Sequence, residues 1–163
     1  MANLLSADEI MWTAFEPKVP NRFIMDINGI PSYIIKSAGR PQISFGEIIV
    51  DHMNVQRKLK GKRVWNDITI TLYDPIVPSG AQAVMEWIRL SHESVTGRDG
   101  YSDFYKKDVT LNALGPVGDK VEEWSIKGAW IGETDFGELD WTNGDDIVPI
   151  SLTLKYDYAV LNF

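Results

Sequence analysis

The strongest constraint on the fold is a long alternation of apolar and polar residues close to the C-terminus. Within residues 148–160 every second position is apolar or aromatic, namely Val148, Ile150, Leu152, Leu154, Tyr156, Tyr158 and Val160. Successive side chains of a β-strand point to opposite faces, so this pattern predicts a strand with one face in a core. Pro149 has no N–H to donate to a neighbouring strand, which favours a position at an edge or a bulge.

Shorter stretches with the same alternation predict further strands, at residues 21–37, 43–53, 64–73, 105–114 and 121–131. In the first, Asn28-Gly29 favours the positive φ angles of a type I′ turn and predicts a hairpin whose two strands pair with each other. Asn143-Gly144 is a second hairpin signal. In the stretch 121–131, the alternation places five residues on one side of the strand: Glu122, Trp124, Ile126, Gly128 and Trp130.

One helix is predicted between the two groups of strands. Ser79 followed by Gln82 is a capping box, and Trp87 lies on the apolar face that follows it. Residues 1–20 have roughly helix-spaced apolar residues but are too short for a stable isolated helix, so we expect an N-terminal arm that orders against another molecule. The sequence predicts a mainly β protein, an antiparallel β sandwich or barrel with one lateral α-helix and an N-terminal arm, in a single domain spanning 1–163.

The composition excludes several classes of function. The chain has no Cys among its 163 residues, which excludes disulfide frameworks and zinc–thiolate or iron–sulfur sites. The formal net charge of −7 disfavours general binding to nucleic acid. The uncharged stretch 75–85 is far shorter than the ~20 apolar residues of a membrane span, so no membrane insertion is expected. The first residues lack the features of a signal peptide, and we expect assembly in the cytosol.

No motif predicts catalysis. His52 and His92 are the only histidines, and neither belongs to a triad or metalloprotease pattern. The acidic stretch 133–146 lacks the order of an EF-hand loop, and a solvated loop explains it better than a calcium site or a glycosidase carboxylate pair. We therefore predict no catalytic residue, no metal site and no cofactor.

Charge is unevenly distributed along the chain. Segment 54–63, expected to be a loop, holds five basic residues and no acid: Arg57, Lys58, Lys60, Lys62 and Arg63. Residues 119–146 hold nine acids, among them Glu138, Asp140, Asp145 and Asp146. Nucleic-acid binding by the basic segment, a solubilising loop and a protein–protein contact are the three interpretations. Opposite patches suit head-to-tail association, so the candidate inter-subunit contacts are the five basic residues together with the four acids named above.

The order of the motifs resembles the tail tube proteins of contractile-tailed phages of the T4 type. The similar pieces follow one another from about residue 12 onward: residues 21–27, the basic segment leading into 63–72, the Trp87 helix, residues 126–130, and Gly137-Glu-Leu-Asp-Trp141 followed by 147–158. The resemblance extends to the Hcp tubes of type VI secretion and to pyocin tubes.

The resemblance implies a structural virion protein rather than an enzyme. Such a subunit forms hexameric rings that stack into a tube inside a contractile sheath, the tube is assembled in the host cytoplasm, and it conducts the genome during ejection. Strands of neighbouring subunits are expected to join into one barrel around the lumen. The implied partners are further copies of the chain, the sheath protein, baseplate and tail terminator proteins, and DNA as transiting cargo.

Two alternatives remain at this stage. A baseplate–tube junction protein would share the fold and differ in capping rather than polymerising. A β-sandwich binding or decoration module would use its Trp and Tyr residues to bind glycan or a virion surface.

Overall fold

The computed structural model describes residues 15–163, and this part of the chain is mostly antiparallel β-sheet. Its strands are β1 (Phe23–Ile27), β2 (Ile35–Ala38), β3 (Gln42–His52), β4 (Val55–Asn66), β5 (Ile68–Tyr73), β6 (Lys107–Leu114), β7 (Lys120–Asp135), β8 (Pro149–Lys155) and β9 (Tyr158–Leu161). A 3-10 turn spans Ser32–Ile34, and the helices are α1 (Gly80–Ser91) and the short α2 (Ser102–Tyr105). The predicted fold class, mainly β with a lateral helix, is confirmed.

Strand β7 is shared by two groups of strands. Its first half pairs with β6 on one side and β9 on the other, and β1 lies beyond β6. Its second half pairs with β8, followed by β5 and then β2. Among the strands of residues 15–163, β3 and β4 pair only with each other. The body of the molecule is thus the two groups joined by β7, and the β3–β4 pair is separate from both.

The core lies between the two groups. The alternating residues of β5 and β8 supply much of it, since Ile70, Leu72, Leu152 and Leu154 are completely buried. Apolar residues from β1, β6 and β7 join the same cluster. The burial pattern of β8 alternates along its length, as the strand prediction requires.

Helix α1 begins as the capping box predicts. The Ser79 hydroxyl accepts a hydrogen bond from the backbone N–H of Gln82 at 3.4 Å. Trp87 is buried, and its indole N–H donates to the carbonyl oxygen of Tyr105 at 2.7 Å, which links α1 to α2. The prediction that Trp87 lies on the apolar face of the helix is confirmed.

The predicted hairpin over 21–37 is wrong. The chain does turn at Asn28-Gly29, where Gly29 has a φ of 93°, but it continues into the 3-10 turn. Strand β1 pairs with β6, and β2 pairs with β5 in the other group. The local turn signal was correct, and the pairing was decided by burial of residues distant in sequence.

The alternation changes phase at two places. Gly128, with a φ of 67°, lies at a bulge between paired positions, so Ala129 rather than Trp130 is buried after Ile126. Between β8 and β9 the phase changes again, and Ala159 is buried whereas its neighbours Tyr158 and Val160 are exposed. The expectations of one continuous face in 121–131 and 148–160 are therefore wrong.

Segment 54–63 is strand and not a loop, because β4 runs from Val55 to Asn66. Only residue 67 separates β4 from β5, and residues 39–41 separate β2 from β3. The β3–β4 pair therefore continues the β2–β5 pair outward, beyond the body.

The predicted N-terminal arm lies mostly outside the described residues. Residues 15–22 approach β1 without regular helix or strand. Within 15–163, no helix has the length and apolar character needed to cross a bilayer.

Candidate self-assembly interface

The most unusual feature of the structure is the two-stranded antiparallel pair formed by β3 and β4, hereafter the ribbon (residues 42–66). Ten residue pairs join its strands, from Gln42 opposite Asn66 to His52 opposite Val55. A turn at Met53 and Asn54 connects them, with Met53 at a φ of 51°. At ~3.3 Å per residue the ribbon extends about 35 Å from its root.

The ribbon is exposed on both faces. Every residue of it is exposed except Gly61 and Trp65, which are partly buried. Its exposed large apolar side chains are Ile43, Phe45, Ile48, Ile49, Val50, Met53, Val55, Leu59 and Val64. A lone two-stranded hairpin is at best marginally stable in water, and exposed apolar surface of this size marks an interaction site.

The two faces differ in chemistry. Directly opposite residues share a face, and so do residues two apart on one strand. One face is apolar towards the tip, where Ile48 lies opposite Leu59 and His52 opposite Val55, with Arg57 as its basic residue. The charged face carries Glu47, Asp51, Lys58, Lys60 and Arg63.

Contacts along the charged face confirm this division. The ammonium group of Lys58 lies 3.2 Å from a carboxylate oxygen of Glu47. The ammonium group of Lys60 lies 4.8 Å from the centre of the Phe45 ring, a cation–π distance. A register shift near Gly46 and Gly61 allows Lys60 and Arg63 to lie on the same face.

The ribbon is attached to the body through β4 as well as through β3. The rings of Trp65 and Tyr156 are 5.9 Å apart at an angle of 50°. One residue beyond the ribbon, Asp67 forms an ion pair with Lys155 at 3.5 Å. These contacts hold the end of β4 against the end of β8.

The predicted acidic contacts lie in the connection between β7 and β8 (residues 136–148, the acidic loop). Glu138, Asp140, Asp145 and Asp146 line a cleft of about 660 Å³ beside Pro149. The Asp140 carboxylate accepts hydrogen bonds from the backbone N–H and hydroxyl of Thr142, both at 2.9 Å, and these lower the pKa of Asp140.

The acidic loop is ordered by internal bonds but exposes apolar side chains. The amide of Asn143 donates to Asp146 at 3.0 Å, and Leu139, Trp141 and Ile147 project into solvent, Trp141 completely. The Asn143-Gly144 signal thus lies in a connection between paired antiparallel strands, though the connection is longer than a tight turn.

The structure does not bring the predicted basic and acidic residues together within one chain. In the described residues no ion pair joins the ribbon to the acidic loop, and Lys58–Glu47 is the pair that the five basic residues form. No group of His, Asp and Glu among residues 15–163 has the geometry of a metal site. His52 ends β3, and His92 is bound to Asp99 at 2.8 Å beside the end of α1.

The sheet also has open edges that the sequence did not reveal. In the group β7–β8–β5–β2, the part of the chain that the structure describes gives strand β2 a neighbour on one side only, and the same is true of the stretch 130–135 of β7. Unpaired edges of this kind are templates for another strand.

One face of this four-stranded group is polar. Register aligns Thr69 with Thr153 and Glu133, and Thr71 with Ser37, Ser151 and Asp135. These residues face away from the buried Ile70 and Leu152. At one end of this face lies the Asp67–Lys155 ion pair.

Sequence reasoning missed the ribbon although its signal was present. Val55, Arg57 and Leu59 occupy alternate positions of the basic segment and so share one side of a strand. Their partners His52, Val50 and Ile48 occupy alternate positions of the preceding strand, on the other side of a turn at residues 53–54. A segment with five basic residues in ten is more typical of a solvated loop than of a strand, and a loop was therefore predicted.

Comparison with known proteins identifies a relative over most of the chain. The tail tube protein gp19 of Enterobacteria phage T4 is 27% identical over 148 residues, covering 85% of this chain and 88% of the phage protein. No protein-family model matches the chain.

Two solved structures share the fold. A chain of the anti-feeding prophage tube terminating cap has a TM-score of 0.73 at 21% identity, covering 96% of this chain and 99% of that chain. A chain of the PVC sheath–tube complex, an extracellular contractile injection system in its extended state, has a TM-score of 0.71 at 21% identity, covering 98% and 99%. By sequence and fold together, the chain is a homologue of the tail tube protein gp19 of phage T4.

Proposed function

We propose that this protein is the structural subunit of the inner tube of a contractile tail, in which hexameric rings stack inside a sheath. The observation that carries the proposal is the ribbon: about 35 Å of paired strand with apolar residues on both faces and nothing in residues 15–163 to cover them. Homology to a tail tube protein supports the same role. The role is structural rather than catalytic.

The open edges of the sheet provide the contact within a ring. In the order β7–β8–β5–β2 neighbouring strands are antiparallel, so β7 residues 130–135 of one copy continue the pattern when placed beside β2 of the next. The two edges differ, so the contact is head-to-tail and closes only when the copies complete a ring. Closure also removes edges that would otherwise aggregate.

The ribbon provides the contact between rings. A projection of about 35 Å is long enough to leave one ring and lie against a subunit of the next. Its charged face is complementary to the acidic loop, which has four carboxylates and no Lys or Arg between residues 136 and 148. The apolar side chains of both surfaces would be buried by the same contact.

The polar face of the four-stranded group would line the lumen. It carries short hydroxyl side chains with Glu133 and Asp135. Of its cations, Lys155 is paired with Asp67, and the ammonium group of Lys36 lies 5.8 Å from the centre of the Tyr73 ring. Carboxylates repel phosphate, and each unpaired Lys or Arg would add affinity for DNA. Such a surface suits the passage of a genome without retention.

The other expected partners follow from this role. The sheath would surround the tube, baseplate and terminator proteins would bind its ends, and the assembled protein would be a virion component built in the host cytoplasm. The junction alternative differs only in polymerisation: a junction or terminator subunit forms one ring. A glycan-binding module would remain monomeric.

Negative-stain electron microscopy of the purified protein tests the proposal. Stacked rings forming tubes are expected at several salt concentrations, and their length should grow with protein concentration. Single rings at every concentration would favour the junction role, and a monodisperse monomer that binds glycan would contradict the proposal.

A further inference from the structure

Glu122 is a buried carboxylate that belongs to neither the sheet edges nor the ribbon. It lies near the start of β7, on the side that carries the core residue Ile126, and its side chain is only 6% exposed. A carboxylate in such a place is costly unless charged or hydrogen-bonding partners surround it. The partners of Glu122 therefore indicate what it holds in place.

Three side chains from three segments converge on this carboxylate. Lys18, from the segment before β1, donates to one oxygen, and the indole N–H of Trp124 donates to the other. The guanidinium group of Arg40 lies 3.3 Å and 3.5 Å from the two oxygens. With these donors, the bond from Lys18 foremost, the pKa of Glu122 is lowered to about 2, so the carboxylate is charged at neutral pH.

Arg40 lies at the point where the ribbon leaves the body. It is flanked by Gly39 and Pro41, between the end of β2 and the start of β3. Glycine has more backbone freedom than any other residue, so Gly39 permits rotation of the chain just beyond the bond that its N–H donates to the carbonyl oxygen of Thr69 at 3.1 Å. The Arg40–Glu122 pair opposes that rotation by tying the segment to β7.

The ribbon root is thus fixed on both strands. On the β4 side, Trp65 packs on Tyr156 and Asp67 pairs with Lys155. On the β3 side the ion pair of Arg40 with Glu122 completes the attachment. For a ribbon about 35 Å long, a rotation of about 10° at the root displaces the tip by about 6 Å, more than the width of a strand pairing.

We propose that Glu122 is a positioning residue that fixes the direction in which the ribbon leaves the body and so prepares it for docking on another copy. The inference rests on the proposed function, because a fixed direction matters only if the ribbon docks. Holding the ribbon in the docking orientation before contact reduces the ordering that assembly must supply. Lys18 extends the same attachment to the segment before β1.

The direct test measures the ribbon direction in the unassembled protein. The chain has no Cys, so two can be introduced without background, at Met53 on the ribbon tip and Val95 on the body, both of which are exposed. Spin labels at these positions report the tip–body distance by pulsed electron paramagnetic resonance. A narrow distance distribution is expected with Glu122 intact, and a broadened distribution with Glu122→Gln.

Matched variants separate positioning from general destabilisation. Glu123→Gln removes the neighbouring carboxylate, which binds Lys120 and Asn162 instead, and should leave the distribution narrow. Arg40 is the exposed partner of the pair, so Arg40→Met should broaden the distance distribution even if Glu122→Gln folds poorly. Arg40→Lys keeps the positive charge and should give a distribution nearly as narrow as that of the wild type. Unchanged distributions in both Glu122→Gln and Arg40→Met would overturn the inference.

The assembly readout links this role to the tube. Glu122→Gln and Arg40→Met are each expected to raise the protein concentration needed for tube growth about tenfold. The double variant should raise it no further than Glu122→Gln alone, because both changes remove the Arg40–Glu122 pair. If the two changes raised the concentration needed for tube growth independently and additively in free energy, the inference would also be overturned. The distance measurement remains valid if the wild-type protein forms no tubes, so failure of the proposed function and failure of this inference are distinguishable.

Discussion

The β5–β8 pair and the ribbon have the same kind of sequence but differ in burial. Both are antiparallel pairs with alternating apolar residues. In β5 and β8 one face is completely buried in the core, whereas the ribbon is exposed along both faces. The comparison teaches that alternation specifies a strand, while the supply of covering elements decides whether its apolar face stabilises the fold or remains available for assembly.

The difference is set by how the chain distributes its elements. β5 and β8 have β2 and β7 as neighbours and the first group of strands to cover their apolar side. The ribbon extends beyond the edge of these layers, where nothing in residues 15–163 covers it. We infer that the body folds by itself and that the ribbon is completed by another copy.

The largest expected effect separates the two regions by a matched pair of substitutions. Leu152→Ala in the core should lower the free energy of unfolding by about 2–5 kcal/mol, because it leaves a cavity. Leu59→Ala in the ribbon should change it by less than about 0.5 kcal/mol, because the side chain is already in water. Urea denaturation of the unassembled protein measures both. A large loss for Leu59→Ala would mean that the ribbon is part of the core of the single chain.

The second prediction concerns substitutions in the ribbon, which should impair assembly and leave the stability of the fold unchanged. Changing Lys58, Lys60 and Arg63 to Glu should block tube elongation while the free energy of unfolding stays within about 0.5 kcal/mol of wild type. Sedimentation of tubes measures the first and circular dichroism the second. Changing Glu138 and Asp140 to Lys in the same protein should restore part of the growth. Tubes of wild-type length in the triple variant would refute a docking role for the charged face.

The third prediction concerns the pH dependence of Glu122, which lies where the ribbon is attached to the body. The pKa of Glu122 is lowered to about 2 in the folded chain from an ordinary value of 4.5. A depressed pKa adds stability that is complete above pH 4.5 and is lost as the pH falls towards 2. The stability gap between wild type and Glu122→Gln, of the order of 2 kcal/mol at pH 7, should therefore shrink over this window. Urea denaturation between pH 7 and pH 2.5 measures it, and a constant gap would contradict the assigned charge state.

The smallest effect on assembly is expected on the polar face of the body. The double change Thr69→Lys and Ser151→Lys should leave tube length within experimental scatter of wild type, because both residues lie in inner strands of the group, away from the ribbon and from the edges that pair between copies. It should nevertheless make tubes retain short duplex DNA at low salt, and retention should fall as salt rises. Fluorescence anisotropy with labelled DNA measures this. Equal DNA binding by wild-type and variant tubes would show that this face does not line the lumen.

Part of this contrast could be predicted from the sequence and part could not. Some elements follow from local rules: Ser79 and Gln82 predict the α1 cap, and the alternation around Ile150 and Leu152 predicts β8. Pairing partners were not predictable, because Asn28-Gly29 specifies a turn but not whether β2 returns beside β1 or crosses to β5. The phase changes at Gly128 and between β8 and β9 depend on bulges that burial of distant residues selects.

The nine residues proposed as inter-subunit contacts remain a prediction, and the form of the surface that carries the basic ones was not predicted. The five basic residues were identified by charge alone, and their arrangement on one strand of a projecting ribbon required the register with β3. Glu122 was read as one position of an alternating strand. Its role depends on Lys18 and Arg40, which are distant in sequence and carry no local pattern that would pair them with it.

The central claim is that the ribbon is completed by another copy of the chain, and a cryo-electron microscopy reconstruction of the assembled protein tests it most directly. The account predicts ribbon residues 42–66 buried against the acidic loop of a subunit in the adjacent ring, with β2 of each copy paired to β7 of its neighbour. Tubes in which the ribbon projects into solvent, with neither face covered, would contradict it.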